Sequence, residues 1–326
     1  MRVFGRRTND EKKIASLYRD LETFLKSDDF TDELRNELQQ SNPDYLTVLE
    51  KRIKDIEKVD HGIVIAGETS AGKSTLINKI LEKRIFKGRN NESTSTICKI
   101  RNSAKTRILT ESMTGQIDET DLTEKNDVEK ALRDSLKKLT DMTSSEECIH
   151  FRSVDIGFLI PFLKDNTIIV DTPGIGGSGL VTEKLMEYLP NALSFIFVIN
   201  VASAGGMQKD RLPEILKSII QLQMRNEMPC FECDNVIFIT NKWDTIVTEY
   251  DSSEEDEETK TWKKLQSDIK ERWPLVKEEN IFKLNLKDVS HEQQNCSTKE
   301  FKRFRQVLEL NIKKAENIRV ERHLRD

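Results

Sequence analysis

Apolar and polar residues alternate along this chain with two different periods, and the change of period divides it into three zones. From residue 1 to 60 the spacing is helical. Ile14, Leu17, Leu21, Phe24 and Leu25 predict a first helix, with Thr8 and Glu11 placed as a capping box before it. Tyr45, Leu49, Ile53 and Ile56 form the stripe of a second, with Asn42 as its cap and Pro43 at its first helical position. From 61 to 290, short apolar runs alternate with amphipathic stretches. Strands are expected over 63–66, 97–101, 154–160, 167–170, 195–200, 236–240 and 281–284. That alternation predicts a mainly parallel sheet covered on both faces, a three-layer α/β domain. The last zone, 291–326, holds one long helix over about 298–324, with Phe301, Phe304, Leu308, Ile312 and Ala315 on one face.

Charge and cysteine content narrow the classes. The chain carries 52 basic and 57 acidic residues, a net charge of −5, which argues against a general nucleic-acid binder. Cys98, Cys148, Cys230, Cys233 and Cys296 are odd in number and spread without a framework, as reduced cytoplasmic thiols would be. The first residues are charged and lack the apolar core of a secretory signal. The longest apolar run, 193–204, is broken by Ser194, Asn200 and Ser203 and falls short of the roughly 20 residues of a membrane span. Membrane contact is therefore expected to be peripheral. Cys230 and Cys233 form a lone C-x-x-C without the second pair a zinc site needs. His61, just before the first expected strand, is expected at the surface. The acidic run 251–258 reads as a solvated loop, and the basic residues of the C-terminal helix as a solvated face, with attraction to anionic lipid as the sharper reading.

Three motifs carry the chemistry. Gly67, Gly72, Lys73 and Ser74 match G-x-x-x-x-G-K-[ST] between an apolar run and a helix-forming stretch. Glycine there lets backbone N–H groups of residues such as Glu68, Thr69, Ser70 and Ala71 face a phosphate, and the helix N-terminus at Lys73, Ser74 and Thr75 adds positive potential. Lys73 is placed to reach the β- and γ-phosphates and the Ser74 hydroxyl to ligate Mg²⁺. Asp171-Thr172-Pro173-Gly174 follows an expected strand: Asp171 is a candidate Mg²⁺ ligand and the Gly174 N–H a candidate γ-phosphate contact. Asn241-Lys242-Trp243-Asp244 has the N-K-x-D pattern, in which Asp244 accepts two hydrogen bonds from guanine and Lys242 packs its stem along the nucleotide. The ligand expected is GTP.

Together these motifs resemble the GTPases of the TRAFAC class. The loop from Gly67 to Asn78 and the string Asn241–Asp244 resemble the dynamin superfamily, particularly its mitofusin and bacterial branches. The resemblance covers about residues 45 to 310. It implies a P-loop GTPase (G) domain over 61–290, with the helical segment 1–60 and the C-terminal helix 291–326 packed as a small bundle. It also implies that Thr94 in the run 93–96 is the switch I threonine that holds Mg²⁺ and orients water, with Thr96 as the alternative. Lys73, Ser70 and Thr94 are then the candidate catalytic residues, and Ser74, Thr94 and Asp171 the metal ligands. Thr69 stands where dynamins proper carry glutamine. No arginine lies in the loop, so the resemblance implies pairing of two G domains that complete each other's sites. With one C-terminal helix and no stalk, assembly is expected to stop at small species. Membrane association or remodelling is the implied role. A GTP-dependent effector-binding switch with little hydrolysis, and an immunity-related type of GTPase, stay open as alternatives.

Overall fold

The structure is a computed structural model, and it describes residues 9–57, 60–86, 96–140, 151–163, 167–172, 188–202, 212–224, 228, 231–246, 256–290 and 292–325. Among the described residues nine strands form a single sheet: β1 (His61–Gly67), β2 (Ile97–Asn102), β3 (Arg107–Ser112), β4 (Ile117–Asp121), β5 (Phe151–Phe158), β6 (Thr167–Asp171), β7 (Ala192–Asn200), β8 (Ile237–Asn241) and β9 (Ile281–Lys283). Their spatial order is β4-β3-β5-β2-β6-β1-β7-β8-β9. The run from β6 to β9 is parallel throughout, and β2 turns antiparallel against β6. All seven expected strands are present, shifted by a few residues at their ends.

Alternation along β1 shows how the sheet is covered. Ile63 and Ile65 join one apolar cluster, Val64 and Ala66 the other, as a period of two requires. The first cluster packs under α4 (Lys73–Leu81), α5 (Val128–Thr140) and the start of α8 (Cys296–Arg325). The second packs under α6 (Leu212–Met224) and α7 (Glu257–Arg272). The mainly parallel, three-layer α/β architecture expected from the sequence is the one observed. Phe301, Phe304, Leu308 and Ile312 of α8 are buried in the sheet core.

Among the described residues the N-terminal zone holds three helices instead of two: α1 (Asn9–Lys26), α2 (Asp32–Ser41) and α3 (Tyr45–Glu57). The middle one escapes a hydrophobic pattern because none of its residues is fully buried. Its start is instead set by Thr31, whose hydroxyl accepts from the Leu34 N–H at 3.4 Å. Asn42 is thus a C-cap of α2, its N–H donating to Leu38 O, and does not cap α3. The stripe expected on α1 is rotated: Ile14, Ala15 and Leu25 are buried, whereas Leu17, Leu21 and Phe24 are exposed. Thr8 lies outside the described residues.

The far end of α8 meets α1 and α3. Ile14, Ala15 and Ile56 cluster with Val320, and Tyr18 donates its hydroxyl to His323 O at 2.9 Å. Flanking helices from both ends of the chain therefore form the small bundle expected.

Two further differences concern polarity. The β3–β4 hairpin was not expected, because β4 is exposed at every residue and reads as loop; Gly115, at φ +83°, makes its turn. His61 is buried, not exposed, because it opens β1 and pairs with Thr167.

Candidate functional site

The three motifs meet at the carboxyl ends of β1, β6 and β8, where ligands settle in open parallel sheets. The chain leaves β1 at Gly67. A Cβ there would lie 2.3 Å from Val198 O of the neighbouring strand, so only glycine permits the β1–β7 pairing. Ser70 has φ +64° and Gly72 φ +114°, and these left-handed positions wind the loop. A non-glycine residue in that region stores strain that a functional loop retains. Helix α4 then starts at Lys73, with Leu76 N–H bonded to Gly72 O at 2.9 Å.

Lys73 is buried and folds back over its own loop. Its ammonium donates to Gly67 O at 2.9 Å and Glu68 O at 3.0 Å. Burial pushes its pKa down to about 8, against the pull of Asp171 and Glu68. The cation therefore sits in a place that an anion would stabilise. Ser74 and Thr75 are half-buried in the first turn of the same helix.

Asp171 ends β6 beside this loop, level with Ile65 of β1, and both its carboxylate oxygens are shut off from solvent. Thr172 fixes the chain beyond it, donating its hydroxyl to Ile65 O at 2.9 Å. Opposite Asp171 on β2 lies Cys98, whose thiol is pushed well up by burial and then by the Asp171 charge. A hydroxyl from Ser74 and a carboxylate from Asp171 are hard oxygen donors of the kind Mg²⁺ takes. The buried carboxylate facing a lysine displaced from water fits such an ion. Gly174 and Thr94 lie outside the described residues. Thr96, the alternative to Thr94, is fully buried at the head of β2.

Asn241 does more than the sequence reading assigned. Its amide donates to Ala71 O at 2.8 Å and its carbonyl accepts from the Leu286 N–H at 2.9 Å. One buried side chain thus ties the phosphate loop to the segment that follows β9. The same contact explains Gly72 a second way, since a Cβ there would stand 2.4 Å from Asn241 Nδ2.

Lys242 turns the chain at φ +71°, and Thr245 secures the turn by donating its N–H to Lys242 O at 3.1 Å. Trp243 is buried, its indole donating to Thr240 O at 3.1 Å, with the Lys283 ammonium 4.5 Å from its ring centroid. That anchor presents Asp244 outward, half-exposed, with Lys287 Nζ 3.6 Å from its carboxylate.

Leu286 and Lys287 were missed from sequence. Their signal is positional: Asn285-Leu286-Lys287 leaves β9 at the same sheet end as the motifs, without a recognisable pattern. Of the cysteines, Cys98, Cys233 and Cys296 are free, and Cys148 and Cys230 lie outside the described residues. Among the described residues no helix is long and apolar enough to cross a membrane.

A model described as the Dynamin family matches residues 63–243, more than half of the chain. The uncharacterized protein in the xynA 3' region of Caldicellulosiruptor sp. (strain Rt8B.4) is 27% identical over 225 residues, covering 66% of this chain and 48% of that protein. Among solved structures, an oligomerised bacterial dynamin pair, described as a mechanism for the long range sensing and tethering of membranes, gives a TM-score of 0.53. Identity is 18%, over 96% of this chain and 47% of that one, so the likeness establishes the fold alone. This chain spans about half the length of the relatives it matches.

Proposed function

The chain belongs to the dynamin family, and from that premise we propose that it binds GTP and hydrolyses it to GDP and phosphate. The observation that carries the proposal is the Lys73 ammonium, buried and held only by loop carbonyls at 2.9 and 3.0 Å among the hydrogen bonds described. Phosphate oxygens would replace those carbonyls and supply the negative charge that burial makes favourable. The loop amides from Glu68 to Gly72 and the N-terminus of α4 would hold the β-phosphate, and Lys73 would span to the γ-phosphate. Asp244 would accept from guanine, and the stem of Lys242 would lie along the base.

Mg²⁺, held by Ser74, Asp171 and Thr94, would offset charge on the β- and γ-phosphate oxygens. The remaining work would fall to positioning: Thr94 would orient the attacking water, the Gly174 N–H would meet a γ-phosphate oxygen, and Ser70, strained at φ +64°, would offer its amide to the phosphates. Without an arginine in the loop, two G domains are proposed to pair across this face in the triphosphate state. Peripheral contact with a membrane is proposed from the family and from the solved pair's described role.

Nucleotide exchange of specificity tests the base reading. Asp244→Asn should weaken GTP binding and improve the relative affinity for xanthosine triphosphate. A wild type that prefers ATP would overturn it. Pairing is tested by sizing with GDP and with GDP and aluminium fluoride: the first sample should be mostly monomeric and the second more dimeric, with specific activity rising with concentration. An unchanged monomer and flat specific activity would leave the simple switch as the better reading.

A further inference from the structure

Away from the phosphate loop, α4, α8 and the segment after β9 enclose a cavity of about 1050 Å³. Its near end is formed by Thr75, Leu286 and Lys287, beside the base-reading edge. Its far end is formed by residues beyond the last turn of α4, about 10 Å along that helix from Thr75, where Glu82, Lys83 and Arg84 face Lys302 and Arg305 of α8. Among the described lining residues seven are lysine or arginine and two are glutamate, in a chain whose overall charge is −5. A concave wall with one sign of charge focuses its field and raises the local concentration of the opposite ion.

Some of these cations already have partners. Arg305 pairs with Glu82, and Arg133 donates to Glu129 at 3.1 Å. Others do not meet a carboxylate among the described residues. The Lys79 ammonium donates to a backbone carbonyl, Val289 O, at 2.5 Å. Lys83 stands 5.2 Å over the Phe158 ring; Arg84 meets the Glu129 carboxylate only through its backbone N–H, at 3.2 Å, and among the described residues the side chains of Arg84 and Lys302 make no ion pair. Four cations around one concavity without matched carboxylates are what a phosphate-rich ligand requires.

We propose that this cavity is a second anion site, distinct from the phosphate loop, that takes a polyphosphorylated ligand, either a soluble one or a lipid headgroup. The wall it shares with the nucleotide site gives it a regulatory role. Leu286 N–H holds Asn241, which holds Ala71 O in the phosphate loop. Lys287 stands between the cavity and Asp244. An anion that draws Lys287 inward releases the Asp244 carboxylate for guanine, so the two ligands bind with positive coupling. Only this coupling rests on the reading of Asp244 as the guanine contact.

The probe for the soluble source is inositol hexakisphosphate, titrated calorimetrically into the full chain. The probe for the membrane source is co-sedimentation with phosphatidylcholine vesicles, with and without a polyphosphorylated phosphoinositide. Binding of either kind, weakened by salt and reduced about tenfold or more in Lys83→Glu/Lys302→Glu, supports the site, and whichever probe binds identifies the source. Both positions are exposed and outside the nucleotide machinery, so basal GTP turnover of that variant stays unchanged. The same probe should bind Lys73→Ala as it binds wild type, which separates this site from the nucleotide reading. It should also tighten GDP binding several-fold. Failure of both probes, equal binding by the double variant, or displacement of GDP by the probe would overturn the proposal.

Discussion

Replacing Asn241 by alanine removes two hydrogen bonds at once, and the structure fixes what is left behind. Asn241 is 4% exposed, and its partners are backbone groups of Ala71 and Leu286, residues of which less than 2% is exposed. Deleting the side chain strands one carbonyl and one N–H in a place with no replacement donor or acceptor among the bonds described. Each such orphan costs about 1–3 kcal/mol, so Asn241→Ala should lose about 3 kcal/mol of stability, toward the lower middle of the summed range. In urea, with a slope of about 3 kcal/mol per molar, the midpoint falls by about 1 M. Asn241→Asp keeps the acceptor for Leu286 but sets an oxygen against Ala71 O, so it should be no better than alanine. Without the tie, Ala71 and the rest of the loop are free to leave the phosphate-binding shape, and GDP affinity should fall about tenfold, equivalent to about 1.4 kcal/mol. Urea unfolding of the nucleotide-free protein and GDP calorimetry measure the two effects. A midpoint within about 0.2 M of wild type, with unchanged GDP affinity, would refute the bridge.

Gly67→Ala should be far worse than Gly115→Ala, although both glycines have positive φ: the first places a Cβ 2.3 Å from a strand carbonyl, the second meets nothing within 4 Å, so the second loses only about 1 kcal/mol while the first fails to give soluble protein, and comparable melting temperatures would contradict this. Burial lowers the Lys73 pKa from 10.5 to about 8 in the folded chain. Between those values the unfolded chain holds the proton that the folded chain has released, so this group's contribution to stability rises with pH across that window. Nucleotide-free Lys73→Met should therefore gain up to about 3 kcal/mol near neutral pH and lose that advantage toward about pH 10, as followed by urea unfolding; a pH-independent difference would show that burial does not govern the lysine. Thr94→Ala should bind GTP and lose turnover with unchanged stability, whereas Thr96→Ala, at a fully buried position, should melt lower; full turnover in Thr94→Ala would move the water-orienting role.

Much of the central architecture was legible because buried parallel strands read as continuous apolar runs, and β1, β7 and β8 do so plainly. The motif loops were legible because glycine and a short string of polar residues have few other uses at strand ends. What the pattern hid follows from weak burial or from non-local contact. The β3–β4 hairpin hid because β4 is polar along its whole length. Helix α2 hid because its identity rests on the Thr31 cap. Helix α1 offers two apolar faces, and only contact with α3 and the far end of α8 selects which is buried. Asn241 was recognised as part of a nucleotide motif, but its bridge to Ala71 and Leu286 spans residues 170 and 45 positions away. The basic residues of the C-terminal helix were visible as a charged face, but the cavity joins Lys302 and Arg305 of α8 to Lys79, Lys83 and Arg84 at the end of α4 across the fold, a pairing that no local pattern announces.

The central claim is that Lys73 and Asp244 serve one GTP molecule, and phosphate release measures it most directly. Wild type, Lys73→Ala and Asp244→Asn should be assayed side by side with GTP and with ATP in the presence of Mg²⁺. The account predicts phosphate release from GTP by wild type, little or none from ATP, loss of release in Lys73→Ala with the fold intact by circular dichroism, and reduced release in Asp244→Asn. Equal release from ATP, or a folded Lys73→Ala with wild-type turnover, would contradict it.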